Sequence, residues 1–415
     1  MSLHVSTAVN TDVSTTHPLP LAGVRVLDFA HMMQGPWAAE MLGDLGADVI
    51  KVEVVGTGER GRQSGTTFLD GTSAQFLAMN RNKRSLAVDL KTAAGVRVAE
   101  ALLATADVLI QNFRPGVMDR LGLGWERAHE LNPRLVYCTA SGYGADVPDP
   151  RKPGQDLLAQ ARTGALWLTG TGDDLPTPCG PFVADVHAAT MLALGATAAL
   201  LDRDRTGRGR LVEVDLVGAM LHQTVQEVVA AVNSGEPPRR STAPGSAYIE
   251  APYGVHATAD GHIAISLTTM EALAAGLEAP EILERFPDKA AATAGRDELN
   301  ALVAGLVATR PTQDVLDALD AAGVWCAPVN DHRQMTTDPY VRWEQRRLEV
   351  EHPVAGRVEL VGNPITLDGQ PLPARRSAPL LGEHTVELLM ELGLDVDELL
   401  ADGVVEAPAD RRAGR

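Results

Sequence analysis

Aromatic side chains make up only 4% of the 415 residues, and the three cysteines, Cys138, Cys179 and Cys326, are far apart and odd in number. That count speaks against a disulfide framework or a Cys-based metal site and fits a reducing compartment. Long apolar runs are missing too. The longest, Met191 to Leu201, falls well short of the roughly 20 residues that span a bilayer. The N-terminal MSLHVSTAVNTDVSTTHP lacks a basic-then-apolar signal pattern, so residues 1–20 are expected to form a disordered tail. Positive charge is the minority sign: 36 Lys and Arg against 54 Asp and Glu leave −18, which argues against general nucleic-acid binding. No Gly-x-Ser-x-Gly elbow, Walker loop or reliable His/Cys/Asp metal spacing occurs. The expectation is a soluble cytoplasmic protein with no metal and no membrane partner, whose chemistry falls to carboxylates.

What is present reads as α/β. Leu21 to Ala30 is a short apolar run suited to a buried first strand. Pro36 falls in the first turn of a helix that stops at Gly46, and Asp48 to Val55 is a second strand. The alternation continues with strands at 85–90, 107–111, 135–139 and 211–216 and helices at 92–105, 125–131 and 217–232. Such βαβ units give a parallel, doubly wound sheet over residues 21–232. A Pro/Gly/Ser stretch marks a linker at 233–250, and a smaller α+β domain follows at 251–335. In it, Asp260-Gly261 marks a hairpin, and a helix at 313–322 takes Thr312 as its N-cap.

The stretch from Gly154 to His187 draws most attention. A helix from Asp156 to Leu168, burying Leu157, Ala161, Ala165 and Leu168, leads into a loop with two adjacent carboxylates, Asp173 and Asp174. Asp185 then opens a second apolar helix, 186–201. Gly56-Thr-Gly58-Glu-Arg-Gly61 spells a dinucleotide fingerprint, but Arg-Gln-Ser-Gly follows where a helix should, so the match carries little. Arg81, Lys83 and Arg84 before one strand, with Arg114 and Arg120 after another, suggest a basic rim for a small polyanion. A solvated charged loop is the plainer reading of the same residues.

The motifs LAGVRVLDFAHMMQGPWAAEMLGDLGADVIKVE, NRNKRSLAVDLKT, ADVLIQNFRPGVMDRLGL, NPRLVYCTASGYG and GRGRLVEVDL together resemble the class III CoA-transferases, the CaiB/BaiF family. YGVHATADGHIAI, AAGVWCAPVN and GEHTVELLMELG match as well, so the resemblance runs almost from Leu21 to the end. It implies a Rossmann-like, CoA-binding large domain plus a smaller one, and an interlocked homodimer. It also implies that residues 336–415 return to pack on the large domain.

The resemblance further implies a nucleophilic Asp in a loop like Gly-x-x-Asp-Gly-Pro-Pro. In step with Gly170, Gly180 and Asp185, that residue is Asp173, although Asp174 replaces the family's Gly and leaves the register open by one position. Family racemases instead pair the His of a Gly-His-Asp triplet with a later Asp. Here the triplet is Gly154-Gln155-Asp156, and Gln cannot exchange a proton. The implied activity is therefore CoA transfer from an acyl-CoA to a carboxylic acid. A racemase or epimerase, or a CoA-binding protein without turnover, are the alternatives. A carboxylate of ordinary pKa about 3.9 is already ionised at pH 7 and can attack a thioester unaided. The CoA-binding positions implied are Leu86, Val88, Asp89, Gln111, Asn112, Phe113, Arg120 and Gln155. Val54 stands where many relatives carry a basic phosphate contact, and Ser241 to Ser246 is the nearest match to a glycine run that closes over the site.

Overall fold

The computed structural model describes residues 18–172, 174–236 and 239–408. The chain divides into two compact units, one of residues 1–156, 183–219 and 344–415 and the other of 157–182 and 220–343. The segment 157–182 thus falls in the smaller unit rather than in the domain its position in sequence suggested.

The first unit is built on β1 (Arg25–Asp28), β2 (Asp48–Glu53), β3 (Lys83–Val88), β4 (Val108–Gln111), β5 (Val136–Ser141), β6 (Leu211–Asp215) and β7 (Val405–Glu406). They lie in the order β7-β3-β2-β1-β4-β5-β6, all parallel except β7, which runs antiparallel to β3. Strand order reverses at β1, and the crevice outside the carboxyl ends of β1 and β4 is where such sheets bind ligands.

Both sheet faces are covered, which is why the strands read as continuous apolar runs. Val26, Val49, Val108, Ile110, Val136 and Cys138 point one way, among the buried side chains of α1 (Gln34–Asp44) and α5 (Val183–Thr206). Their neighbours Leu27, Ile50, Leu109 and Tyr137 point the other way, with Leu86, into a core with α2 (Ala93–Thr105) and α3 (Trp125–Leu131). Thr92 caps α2 by accepting the Gly95 N–H at 2.9 Å. By length and composition α5 could cross a membrane. Its apolarity is explained by the Ala and Leu face packed on α1 and the sheet. Cys138 is sealed in this core, where burial pushes its thiol up and leaves it inert.

The C-terminal stretch completes this unit. A hairpin (Arg347–His352 with Gly356–Val361) is followed by helices Thr385–Glu391 and Val396–Ala401 and then β7. Leu388, Leu389, Val396, Val404 and Val405 lie in the same core as α2. The final short helix and β7 escaped the sequence reading, since six- and two-residue elements carry little periodic signal.

In the second unit, strands Gly254–Ala257, His262–Ile265 and Cys326–Pro328 form an antiparallel sheet. Ile263 and Ile265 pack with helices Met270–Leu277, Arg296–Val307 and Thr312–Ala321. Thr312 is the first residue of its helix, not the cap. The Asp260 carboxylate accepts both its N–H, at 2.7 Å, and its hydroxyl, at 2.6 Å. The helix expected from 156 to 168 also ends early, as α4 (Asp156–Arg162) followed by a 3₁₀ turn at Ala165–Trp167. Leu157 and Leu158 are exposed, whereas Asp156, Ala159, Gln160 and Ala165 are buried. The helix expected at 217–232 is broken at Thr224 into Leu216–Gln223 and Val225–Ser234.

Candidate functional site

The crevice at the switch point is shaped by the loop that leaves β1. Gly35 lets α1 start close against it, because a Cβ there would sit 2.2 Å from that of Ala30. Asn112, just past β4, fixes the loop from the other side. Its Nδ2 donates to the His31 carbonyl and its Oδ1 accepts the His31 N–H, both at 2.8 Å. Gln111 accepts the Phe113 N–H at 2.8 Å and donates to Thr139 at 2.8 Å, while the Phe113 ring meets His31 edge-on at 4.9 Å. One amide thus does for the loop what a short sheet ladder would do.

Beneath the loop lies a wholly buried charge cluster. Lys83 donates to Asp28 at 2.8 Å, to the Pro36 carbonyl at 2.7 Å and to Asn80 at 2.8 Å. Lys51 reaches Asp28 at 3.3 Å and the Ala30 carbonyl at 3.0 Å. Burial alone would raise the Asp28 carboxyl, but the two ammonium groups outweigh it and hold it below the usual range. Glu59 lies 4.0 Å from Lys51, and its carboxylate accepts the Met32 and Gly61 N–H groups at 3.0 and 2.7 Å. Arg62 grips Glu53 with two hydrogen bonds of 2.7 Å. Burial and the Lys51 charge push His31 down, so its imidazole is neutral at pH 7. Three buried polar atoms around the loop have no hydrogen-bond partner among the described residues: His31 Nδ1, Gln34 Nε2 and Glu59 Oε1. Such atoms are costly unless something else hydrogen-bonds them.

On the same rim of the sheet, just past the carboxyl end of β5, Gly142 and Gly154 pass so closely that a Cβ on Gly142 would sit 2.6 Å from the Gly154 Cα. This approach sets Asp156, whose carboxylate accepts the Ala184 and Asp185 N–H groups, at 2.7 and 3.1 Å, at the start of α5. Burial and the Asp156 charge push the Asp185 carboxyl up to about 7.

In the second unit, the loop 169–180 carries one turn of its own and is otherwise held by residues outside it. The Asp174 carboxylate accepts the Thr171 N–H at 2.7 Å and its hydroxyl at 2.9 Å, which holds it below the usual range. The Gly172 N–H donates to the Ser241 carbonyl at 2.9 Å, and the Cys179 N–H to Gln160 at 3.0 Å.

The pattern of the family described as CoA-transferase family III matches residues 21–385. The chain belongs to CoA-transferase family III. It is 33% identical over 400 residues to the succinyl-CoA:glutarate CoA-transferase of Mus musculus, covering 93% of this chain and 90% of that one. It is 34% identical over 393 residues to the succinyl-CoA:mesaconate CoA-transferase of Haloarcula marismortui, covering 90% and 97%. Its fold is similar to a crystal structure of a CaiB/BaiF family protein from Brucella suis, with TM-score 0.81 and 30% identity over 91% of this chain and 100% of that one. These similarities make the chain a CoA-transferase enzyme.

Within this CoA-transferase the expected site residues fall in different places. Asp173 lies outside the described residues. Gln111, Asn112 and Phe113 come together at the crevice, and Asp89 follows the carboxyl end of β3 on the same rim. Leu86 and Val88 are sealed in the core, so their side chains cannot meet a ligand. Arg120 and Gln155 are exposed, as is Val54 at the end of β2.

The basic rim needs correcting. Arg81, Lys83 and Arg84 stand at the opposite, amino end of the sheet and are buried. Arg81 pairs with Glu40 and Asp44, Lys83 with Asp28, and Arg84 with Asp48, Glu387 and Glu391. Their charges were legible, but their carboxylate partners lie far off in sequence. The Gly56–Gly61 fingerprint forms a 3₁₀ turn (Arg60–Gln63) instead of opening an α-helix. Arg240 and Glu59 were not picked out in sequence, where they sit among ordinary loop residues.

Proposed function

We propose that this CoA-transferase moves CoA from an acyl-CoA to a free carboxylic acid through Asp173. An Asp173 carboxylate oxygen attacks the thioester carbonyl, the C–S bond breaks, and CoA thiolate leaves an aspartyl–acyl anhydride. The thiolate attacks the aspartyl carbonyl and expels the donor carboxylate, giving an aspartyl-CoA thioester. The acceptor carboxylate then attacks that thioester, and the thiolate released takes the acceptor acyl group from the second anhydride and frees Asp173. Backbone N–H groups of the Gly-rich loop suit the oxyanions formed on the way.

The observation that carries this assignment is the engagement of Asp174. One oxygen of its carboxylate accepts both the Thr171 N–H and hydroxyl, as a turn former's does, which supports its neighbour as the loop's nucleophile. The unpartnered atoms of His31, Gln34 and Glu59, with Gln111, Asn112 and Phe113, support a CoA site at the switch-point crevice. Asp89, Arg120 and Gln155 would extend it, with Leu86 and Val88 acting only through the backbone. Relatives named for succinyl-CoA with glutarate or mesaconate point to a succinyl-type donor and a dicarboxylic acceptor. We assign the working form as an interlocked cytoplasmic homodimer, in which the anhydride is shielded from water.

The test is exchange between succinyl-CoA and a panel of dicarboxylic acids, read by mass spectrometry of the CoA thioesters. A new thioester from the parent and none from D173A is expected. Washing of deuterium into the substrate α-carbon, with no transfer to any acceptor, would instead mark a racemase.

A further inference from the structure

Arg240 is 6% exposed and its hydrogen-bond partners are main-chain carbonyls. One terminal nitrogen donates to Thr169, at 2.9 Å, and to Leu175, at 3.3 Å, and the other donates to Asp174. These carbonyls stand on both sides of position 173. The next residue, Ser241, accepts the Gly172 N–H through its carbonyl at 2.9 Å. Its hydroxyl in turn accepts from Asn300 at 2.7 Å and donates to Asp297 at 3.1 Å, which ties the strap to the helix Arg296–Val307. The guanidinium also lies 5.5 Å from the Trp167 ring centre. The segment that in sequence looked like a closing loop is therefore anchored at its start.

A buried cation commonly hydrogen-bonds a carboxylate; this one only lies near that of Asp174 and gives its hydrogen bonds to the carbonyls of one loop. A planar fork can hold three carbonyls at fixed separations, whereas an ammonium group is a point donor on a flexible stem. We infer that Arg240 is the positioning residue of the nucleophile loop. It fixes the backbone on either side of Asp173 so that the carboxylate meets the thioester at attack distance, and it takes no part in binding CoA. The inference rests on the reading of Asp173 as nucleophile.

The experiment is single-turnover formation of the hydroxylamine-trapped adduct with succinyl-CoA in the parent, R240A and R240K, beside CoA affinity and thermal melting. If the parent gives no adduct at Asp173, the nucleophile assignment fails and this role falls with it. If it does, adduct formation in R240A is expected to be about 100-fold slower, the usual effect of a reacting group misplaced by an ångström. CoA affinity should stay within about twofold, since no substrate contact is removed. Added ethylguanidinium should restore part of the rate in R240A, and R240K should fall between the two. If R240A does not fold, R240K carries the same comparison. An unchanged adduct rate in the variants overturns the inference. So does a slower rate matched by an equal loss of CoA affinity and no guanidinium rescue.

Discussion

Replacing Asp28 with Asn keeps the shape of the buried cluster and removes the charge at its centre. In the parent, Asp28 and Glu59 balance Lys51 and Lys83, with contacts of 2.8, 3.3 and 4.0 Å and all four side chains at or below 1% exposure. After D28N one ammonium is left unbalanced, with only carbonyls and Asn80 to solvate it. Breaking a buried ion pair from one side costs about 3–5 kcal/mol. Lys83 should yield first, because burial already holds it below the ordinary lysine range. The variant's unfolded state then binds more protons than its native state at alkaline pH, so the deficit should shrink between pH 7 and 10. Adding K83M to D28N removes the stranded charge and should recover more than half of the loss. Urea unfolding, paired with hydrogen exchange of β1 and β3 amides to isolate the large unit, measures each quantity. D28N within about 1 kcal/mol of the parent, or a double variant no better than the single, would refute the reasoning.

Asn112→Ala removes both hydrogen bonds that hold the His31 loop, at about 0.5–1.5 kcal/mol each. CoA affinity by calorimetry should fall about tenfold or more, and unchanged affinity would detach the loop from the CoA site. Asp185 holds its proton more tightly folded than unfolded, so its contribution is complete below the unfolded value of 3.8 and is lost as pH rises through about 7. D185N should therefore match the parent at pH 4 and exceed it above pH 7 by on the order of 2–4 kcal/mol. Parallel stability curves from pH 4 to 8 would contradict the assigned shift.

The large sheet was readable because each strand is a short apolar run set off by Gly, Pro or a helix of clear period. Val26, Val49 and Val136 needed no knowledge of their partners to be placed inside. The motifs carried the family, and Gln111 to Phe113 lie at the carboxyl end of β4. The charges were not readable in the same way. Lys83 and Arg84 look alike in sequence, yet one meets Asp28 and the other Glu391, 307 positions away. The same holds for Arg240, whose role depends on carbonyls 65 to 71 positions earlier in the chain. Periodicity reports burial of apolar faces, and it is silent on which buried charges find each other. The unit boundary at 157 was missed for a related reason: the loop 169–180 is held by Arg240 and Ser241, not by any pattern of its own.

The decisive measurement is peptide mapping of the protein after incubation with succinyl-CoA and hydroxylamine. A hydroxamate at Asp173, absent from D173A and retained in D174A at reduced rate, is the expected result. Modification at Asp174 in the parent, or CoA transfer with no trapped carboxyl, would contradict the covalent route through Asp173.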